Sequence, residues 1–191
     1  MKRIAKFKEH FKKFTTFTIR DAKIFLDPPP GYLHLLIHNL RKSGELKRIT
    51  KGVYTFNNEL QHVGFAFQPF YYGLQDALSL RNLWEQETTP IVLTPRKVRT
   101  GSRKFLNNNY LVRRISRQMF YGYELIKYFD TWIPVSTIEK TLIDFVYYKE
   151  PISPEIVKEM KKHINKKTLN EYLKKAPAKT QEKVLELLKW H

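Results

Sequence analysis

Glu139, Lys140 and Asp144 stand in the stretch Val135–Val146, "VSTIEKTLIDFV", and their types come nearest to a hydrolytic site. A metal-dependent nuclease of the restriction type needs an acid and then Glu-x-Lys on one strand. Two carboxylates then hold the metal while the ammonium faces the phosphate. Here Asp130 lies upstream, but Glu139 and Lys140 are adjacent and the apolar spacing predicts a helix, so the motif is absent in that form. Local structure accounts for the same residues. Ser136 and Glu139 have capping-box spacing, and Lys140 and Asp144 are four apart on one helical face. His34 and His38 form an i, i+4 pair of the kind that binds zinc, but no third ligand is near and the chain has no cysteine. Gly-rich phosphate loops and Gly-x-Ser-x-Gly are both missing. No catalytic residue, metal or cofactor is assigned.

The remaining chemistry is cationic. The 191 residues carry a net charge of +17, a field that attracts DNA, RNA or acidic surfaces. It is unevenly spread: residues 1–56 hold 13 basic against 4 acidic side chains, net +9, and residues 57–191 hold 22 against 14. An apolar content of 42 % predicts a packed core. No apolar run reaches the ~20 residues of a membrane span, and the basic start "MKRIAKFKEHFKKF" lacks the apolar stretch of a signal peptide. The expected compartment is the cytoplasm.

The elements that position these charges follow from spacing. Ile4, Phe7, Phe11 and Phe14 predict a helix over 2–13. Thr18 with Asp21 caps a short second helix to about Phe25, and "DPPPG", Asp27–Gly31, breaks the chain into a turn. A third helix spans Tyr32–Lys42, with Leu33, Leu36, Ile37 and Leu40 as its buried stripe, and Gly44 ends it. Its outer side holds His34, Leu35, His38, Asn39, Arg41 and Lys42. Leu35 has two readings, packing on the first helix or contact with a thymine methyl.

Leu46–Ile49 and Val53–Phe56 then read as a hairpin turning through Thr50-Lys51-Gly52. This is the order of a winged helix-turn-helix, whose third helix enters the major groove while the hairpin, or wing, rides on phosphates. The expected DNA-binding residues are His34, His38, Asn39, Arg41 and Lys42 at the groove, Thr18 and Arg20 on a phosphate, and Lys47, Arg48 and Lys51 on the wing.

Beyond a polar boundary, "NNELQHVG", the chain is mixed. Helix is predicted over 71–83, strands at Pro90–Thr94, Tyr110–Ile115, Tyr123–Phe129 and Thr131–Val135, and a helix over 137–148. Pro134 places the strand at 131–135 at a sheet edge or at a strand end. The aromatic run Phe65–Gly73 is expected to give core packing between the lobes, with stacking on bases as the alternative. Three short helices follow: one started by Ser153-Pro154, one capped by Thr168 and Glu171, and a last one in "KTQEKVLELLKW". Between Thr94 and Met119 lie Arg96, Lys97, Arg99, Arg103, Lys104, Arg113, Arg114 and Arg117 with no acid, a second basic patch suited to a polyanion. The expected fold class is α+β: a winged helix-turn-helix over 1–60, then a mixed α/β C-terminal domain over 65–191 with a small sheet and a helical tail.

Three stretches, "LRKSGELKRITKGVYTF", "YYGLQDALSLRNL" and "VSTIEKTLIDFV", together resemble the AbiEi family of antitoxins from type IV toxin–antitoxin systems. The resemblance implies a transcriptional repressor and antitoxin that is not an enzyme. It would bind inverted repeats in its own promoter, as a monomer or weak dimer with two copies meeting on DNA. It would oppose a nucleotidyltransferase toxin encoded nearby. Two alternatives stand beside it: a stand-alone winged-helix transcription factor with a ligand-binding lobe, and a degenerate restriction-type nuclease.

Overall fold

The computed structural model describes residues 2–189 and has a mixed α+β architecture. It divides into two compact units, residues 1–68 with 104–109, and residues 69–103 with 110–191. Among the described residues no helix is long and apolar enough to cross a membrane.

The first unit opens with α1 (Lys2–Phe11), β1 (Phe17–Thr18), α2 (Ile19–Leu26) and α3 (Tyr32–Lys42). The hairpin β2 (Lys47–Thr50) and β3 (Val53–Thr55) follows, and β1 pairs with β3 to make a three-stranded antiparallel sheet of order β1-β3-β2. The core joins Phe7, Phe11 and Phe17 to the α3 stripe, Leu46 and Tyr54. Phe7 and Phe11 are buried as the spacing predicts, whereas Ile4 and Phe14, at the ends of that stripe, stay exposed. A 3₁₀ segment, Leu60–Phe67, closes this part of the chain.

The second sheet has six strands in the order β6-β7-β5-β4-β9-β8. These are β4 (Tyr71–Tyr72), β5 (Ile91–Thr94), β6 (Gly101–Phe105), β7 (Asn108–Arg114), β8 (Tyr123–Tyr128) and β9 (Thr131–Ser136). The pairs β5/β7 and β4/β9 are parallel, and β4/β5 and β8/β9 are antiparallel. The helices are α4 (Leu74–Leu80), α5 (Ile138–Tyr148), α6 (Pro154–His163), α7 (Lys166–Leu173) and α8 (Ala178–Lys189). α5 is the hub of the unit, packed by β9, α4, α6, α7 and α8. Phe67, Phe70, Tyr71 and Tyr72 of the aromatic run are buried.

Several boundaries depart from expectation. Tyr71 and Tyr72 form a strand, and the helix expected from 71 starts only at Leu74. Gly73 between them is extended, its N–H donates to Ile91 O at 3.1 Å, and a Cβ there would meet Leu93 Cδ1 at 2.5 Å. Pro134 lies inside β9, which is an internal strand rather than an edge. β4 reaches β9 only at Tyr72↔Val135, so the second ladder a central strand normally needs is a single bridge here.

Helix α5 is capped by Thr137, whose hydroxyl accepts from Lys140 N–H, not by the expected Ser136–Glu139 box. Ser136 Oγ is 2.7 Å from Thr141 Oγ1, and Glu139 accepts the Asn165 N–H at 2.7 Å. Helix α7 is capped three residues earlier than expected, at Asn165 and not at Thr168, because the Asn165 side chain accepts from Lys167 and Thr168 N–H. Gly101–Phe105, within the second basic segment where no strand is expected, form strand β6. Trp190, expected in the last helix, lies outside the described residues.

Candidate nucleic-acid interface

Helix α2 begins where the spacing places it. Thr18 accepts the Asp21 N–H at 3.2 Å while Asp21 accepts the Thr18 N–H at 2.7 Å, a reciprocal cap that satisfies two end donors. Asp27, left-handed at φ 42°, ends it, and Gly31 at φ 82° starts α3. Leu33, Leu36, Ile37 and Leu40 are buried together. At 100° per residue the remaining arc carries His34, Leu35, His38, Asn39, Arg41 and Lys42, all exposed. Leu35 is 59 % exposed, so it is not buried against the first helix.

After α3 the chain folds back at once: Leu46 N–H donates to Leu40 O at 2.9 Å, and β2 starts at Lys47. The hairpin turns at Gly52, φ 79°, whose carbonyl accepts the Ile19 N–H at 3.0 Å. That bond holds the hairpin tip against the start of α2, beside Thr18 and Arg20. Arg20, Arg48 and Lys51 are exposed, Thr18 and Lys47 half-buried. Lys47 Nζ donates to Glu45 O at 3.2 Å.

The electrostatics favour an anion. Glu45 is the single acid between Leu40 and Phe56, and Lys8 Nζ takes it at 2.6 Å. That bond holds the Glu45 carboxyl below its ordinary range. Among the described residues, Arg20, Arg41, Lys42, Arg48 and Lys51 have no acidic partner, so their charge faces solvent. His34 and His38 belong to no cluster of three metal-ligating side chains among the described residues.

The second basic segment is dispersed. Arg96, Lys97 and Arg99 lie in the β5–β6 connection, Arg103 and Lys104 on β6, Arg113 and Arg114 on β7, and Arg117 in a 3₁₀ turn, Arg117–Met119. Alternation sends Arg113 and Arg114 to opposite faces of the sheet. Arg113 meets Glu150 at 2.5 Å and lies 5.2 Å over the Tyr148 ring. Arg103 donates to Arg99 O. Arg96, Lys97, Arg114 and Arg117 gather around one cavity.

Sequence reasoning took Lys140 and Asp144 for an ordinary helical pair. Both are fully buried and paired, Tyr71 Oη donates to Asp144 Oδ2 at 2.9 Å, and Lys140 Nζ lies between the rings of Tyr121 and Tyr71, 5.0 and 5.4 Å from their centroids. Burial pushes the Lys140 ammonium down and the Asp144 carboxyl up, each opposed by the other's charge. Burial also raises Tyr71, helped by Asp144. No local signal shows this: Lys140, Thr141 and Asp144 fall within one arc of the helix, the spacing of a solvent-facing side, and their burial comes from the strand and helices packed round α5.

The chain matches no family model, and no curated protein matches it.

Proposed function

We propose that the N-terminal unit is a winged helix-turn-helix that binds double-stranded DNA sequence-specifically, with α3 in the major groove and the β2–β3 hairpin on the backbone. The observation that carries this reading is the division of α3. Its apolar stripe is buried, while the opposite arc is exposed and cationic and leads directly into a glycine-tipped, cationic hairpin. Arg41 has the forked donors, and Asn39 the paired donor and acceptor, that read base edges, and Leu35 offers an apolar contact to a thymine methyl. Lys51, Arg48, Lys47, Arg20 and Thr18 suit phosphates, which position without specifying.

Within this proposal the protein is a transcriptional repressor, without enzymatic activity, acting at promoter inverted repeats with two copies on the DNA. The resemblance of its three stretches to the AbiEi family supports a further role as antitoxin against a nucleotidyltransferase encoded beside it.

Footprinting on the gene's own upstream region, at about 50 and 200 mM salt, tests the DNA reading. Two protected half-sites in inverted order are expected, with affinity falling by roughly 10³-fold or more between the two salts. No protected sequence at either salt would overturn it. Co-expression with the neighbouring nucleotidyltransferase tests the antitoxin role. Restored growth supports it, and absence of such a neighbour leaves the stand-alone regulator with a ligand-binding lobe.

A further inference from the structure

Strands β5 and β7 lie side by side and parallel, in register from Ile91↔Leu111 to Thr94↔Arg114, so their carboxyl ends stop at one level. A cavity of about 520 Å³ opens beyond them. Arg96 and Lys97 enter it from the segment after β5, and Arg114, Ser116 and Arg117 from the end of β7 and the segment after it, over the buried Ile115. Among the described residues no carboxylate lines it. The crevice outside the carboxyl ends of parallel strands is where open α/β sheets commonly hold ligands.

The backbone carrying these cations is pinned. Ile115 N–H donates to Thr94 O at 3.0 Å, Arg96 N–H to Thr94 Oγ1 at 3.2 Å, and Thr94 Oγ1 to Pro69 O at 2.8 Å. Tyr148 Oη donates to Arg114 O at 2.9 Å. Three of the four side chains are not neutralised in the same way. Among the described residues Lys97, Arg114 and Arg117 have no acidic partner, while Arg113 on the other face of the same strand is taken by Glu150. Like charges converging on a hollow repel, and a ligand bearing several negative charges turns that repulsion into binding energy. The guanidinium groups of Arg114 and Arg117 supply the forked donors that match phosphate oxygens.

We propose that this cavity binds a chain of two or three linked phosphates, either free or carried by a nucleotide. Its size falls within the roughly 300–1,000 Å³ of small-ligand sites. Among the described residues no aromatic ring lines it, so recognition falls on the phosphates and is indifferent to the base. A concave site suits a compact anion reached from several sides, whereas the backbone of a duplex is convex. The site is independent of the DNA reading, since all its residues belong to the second unit.

Calorimetry on the full chain at about 0.15 M salt, without DNA, tests it with tripolyphosphate, pyrophosphate, ATP, CTP and orthophosphate, the salt level being chosen to screen surface charge. Saturable 1:1 binding is expected, with ATP and CTP alike and orthophosphate weaker by about tenfold or more. Equal affinity for tripolyphosphate and both nucleotides assigns recognition to the phosphates alone, while a gain of nucleotide over tripolyphosphate adds a contact to the sugar. The double variant Arg114→Gln/Arg117→Gln should lose about tenfold or more in affinity, and the charge-matched Lys166→Gln/Lys167→Gln on α7 less than about twofold. Thermal melts confirm that both fold. Equal losses in the two variants would mean attraction by net charge only and would overturn the site. Failure of every polyphosphate to bind, or its displacement by a short duplex lacking the operator, would overturn it as well.

Discussion

Helices α3 and α5 are each eleven residues long, and each carries an apolar stripe with charged or polar residues between. Their polar residues meet opposite fates. α3 is covered on one side, and Arg41, Lys42, His34 and His38 face solvent. α5 is enclosed by β9 and four helices, and Glu139, Lys140, Thr141 and Asp144 are buried. The difference teaches that an i, i+4 charged pair is a surface feature only if one face of its helix is left open. On α3 unpartnered charge is available to a ligand. On α5 charge is paired internally and is closed to a ligand.

The sharpest way to break this contrast is Lys140→Ala. It strands the Asp144 carboxylate in the core and should cost about 3–5 kcal/mol in urea unfolding, whereas Lys42→Ala should change stability by no more than about 0.5 kcal/mol. Lys140→Met combined with Asp144→Leu should recover most of the loss, because no charge is then left alone. If Lys140→Ala proves as mild as Lys42→Ala, the buried pair is misplaced.

Next in size is Arg41→Ala, which should weaken operator binding by about 1–3 kcal/mol if Arg41 reads a guanine, with little effect on random duplex. Lys51→Ala sharpens the same comparison within the interface. It should weaken all sequences alike and reduce the slope of log affinity against log salt by about one. Anisotropy titrations over a salt series separate the two behaviours. Wild-type affinity in both variants would remove α3 and the hairpin from the interface.

The smallest effect concerns a histidine that, unlike His34 and His38, is buried. His62 Nδ1 has no hydrogen-bond partner among the described residues, and burial holds the imidazole below its ordinary 6.5, with Glu59 pulling the other way. A depressed histidine binds its proton more readily in the unfolded chain. Its contribution is therefore complete above pH 6.5 and is lost as pH falls through the folded value. Unfolding midpoints should decline from pH 7.5 to about 5.5 in wild type, and the decline should flatten in His62→Phe. An unchanged slope in the variant would assign it to other groups.

Much of the first unit was legible because its signals are local. The Thr18–Asp21 cap, the "DPPPG" break, the four-residue stripe of α3 and the glycine at the hairpin tip each follow from neighbours within a few positions. The second unit was harder to read wherever a residue's environment comes from far along the chain. Tyr71 and Tyr72 carry a helical pattern but are drawn into a strand between β5 and β9. Glu139 leaves its expected cap for the Asn165 amide, 26 positions away. The eight cations from Arg96 to Arg117 look like one patch in sequence, and strand alternation parts them.

Composition and periodicity by themselves determined the cationic character of this protein, the absence of thiol chemistry, and the amphipathic helices, with the cap of α2 but not those of α5 and α7. These properties depend on residue type and on separations of three or four positions, which any folded form of the chain must respect. Only the tertiary structure decided which charges stay free. Lys140 is paired with Asp144 in the core, while Lys97, Arg114 and Arg117 converge on a hollow beyond two parallel strands. Neutralisation depends on which surfaces meet, and that is set by strand order and helix packing, not by spacing along the chain.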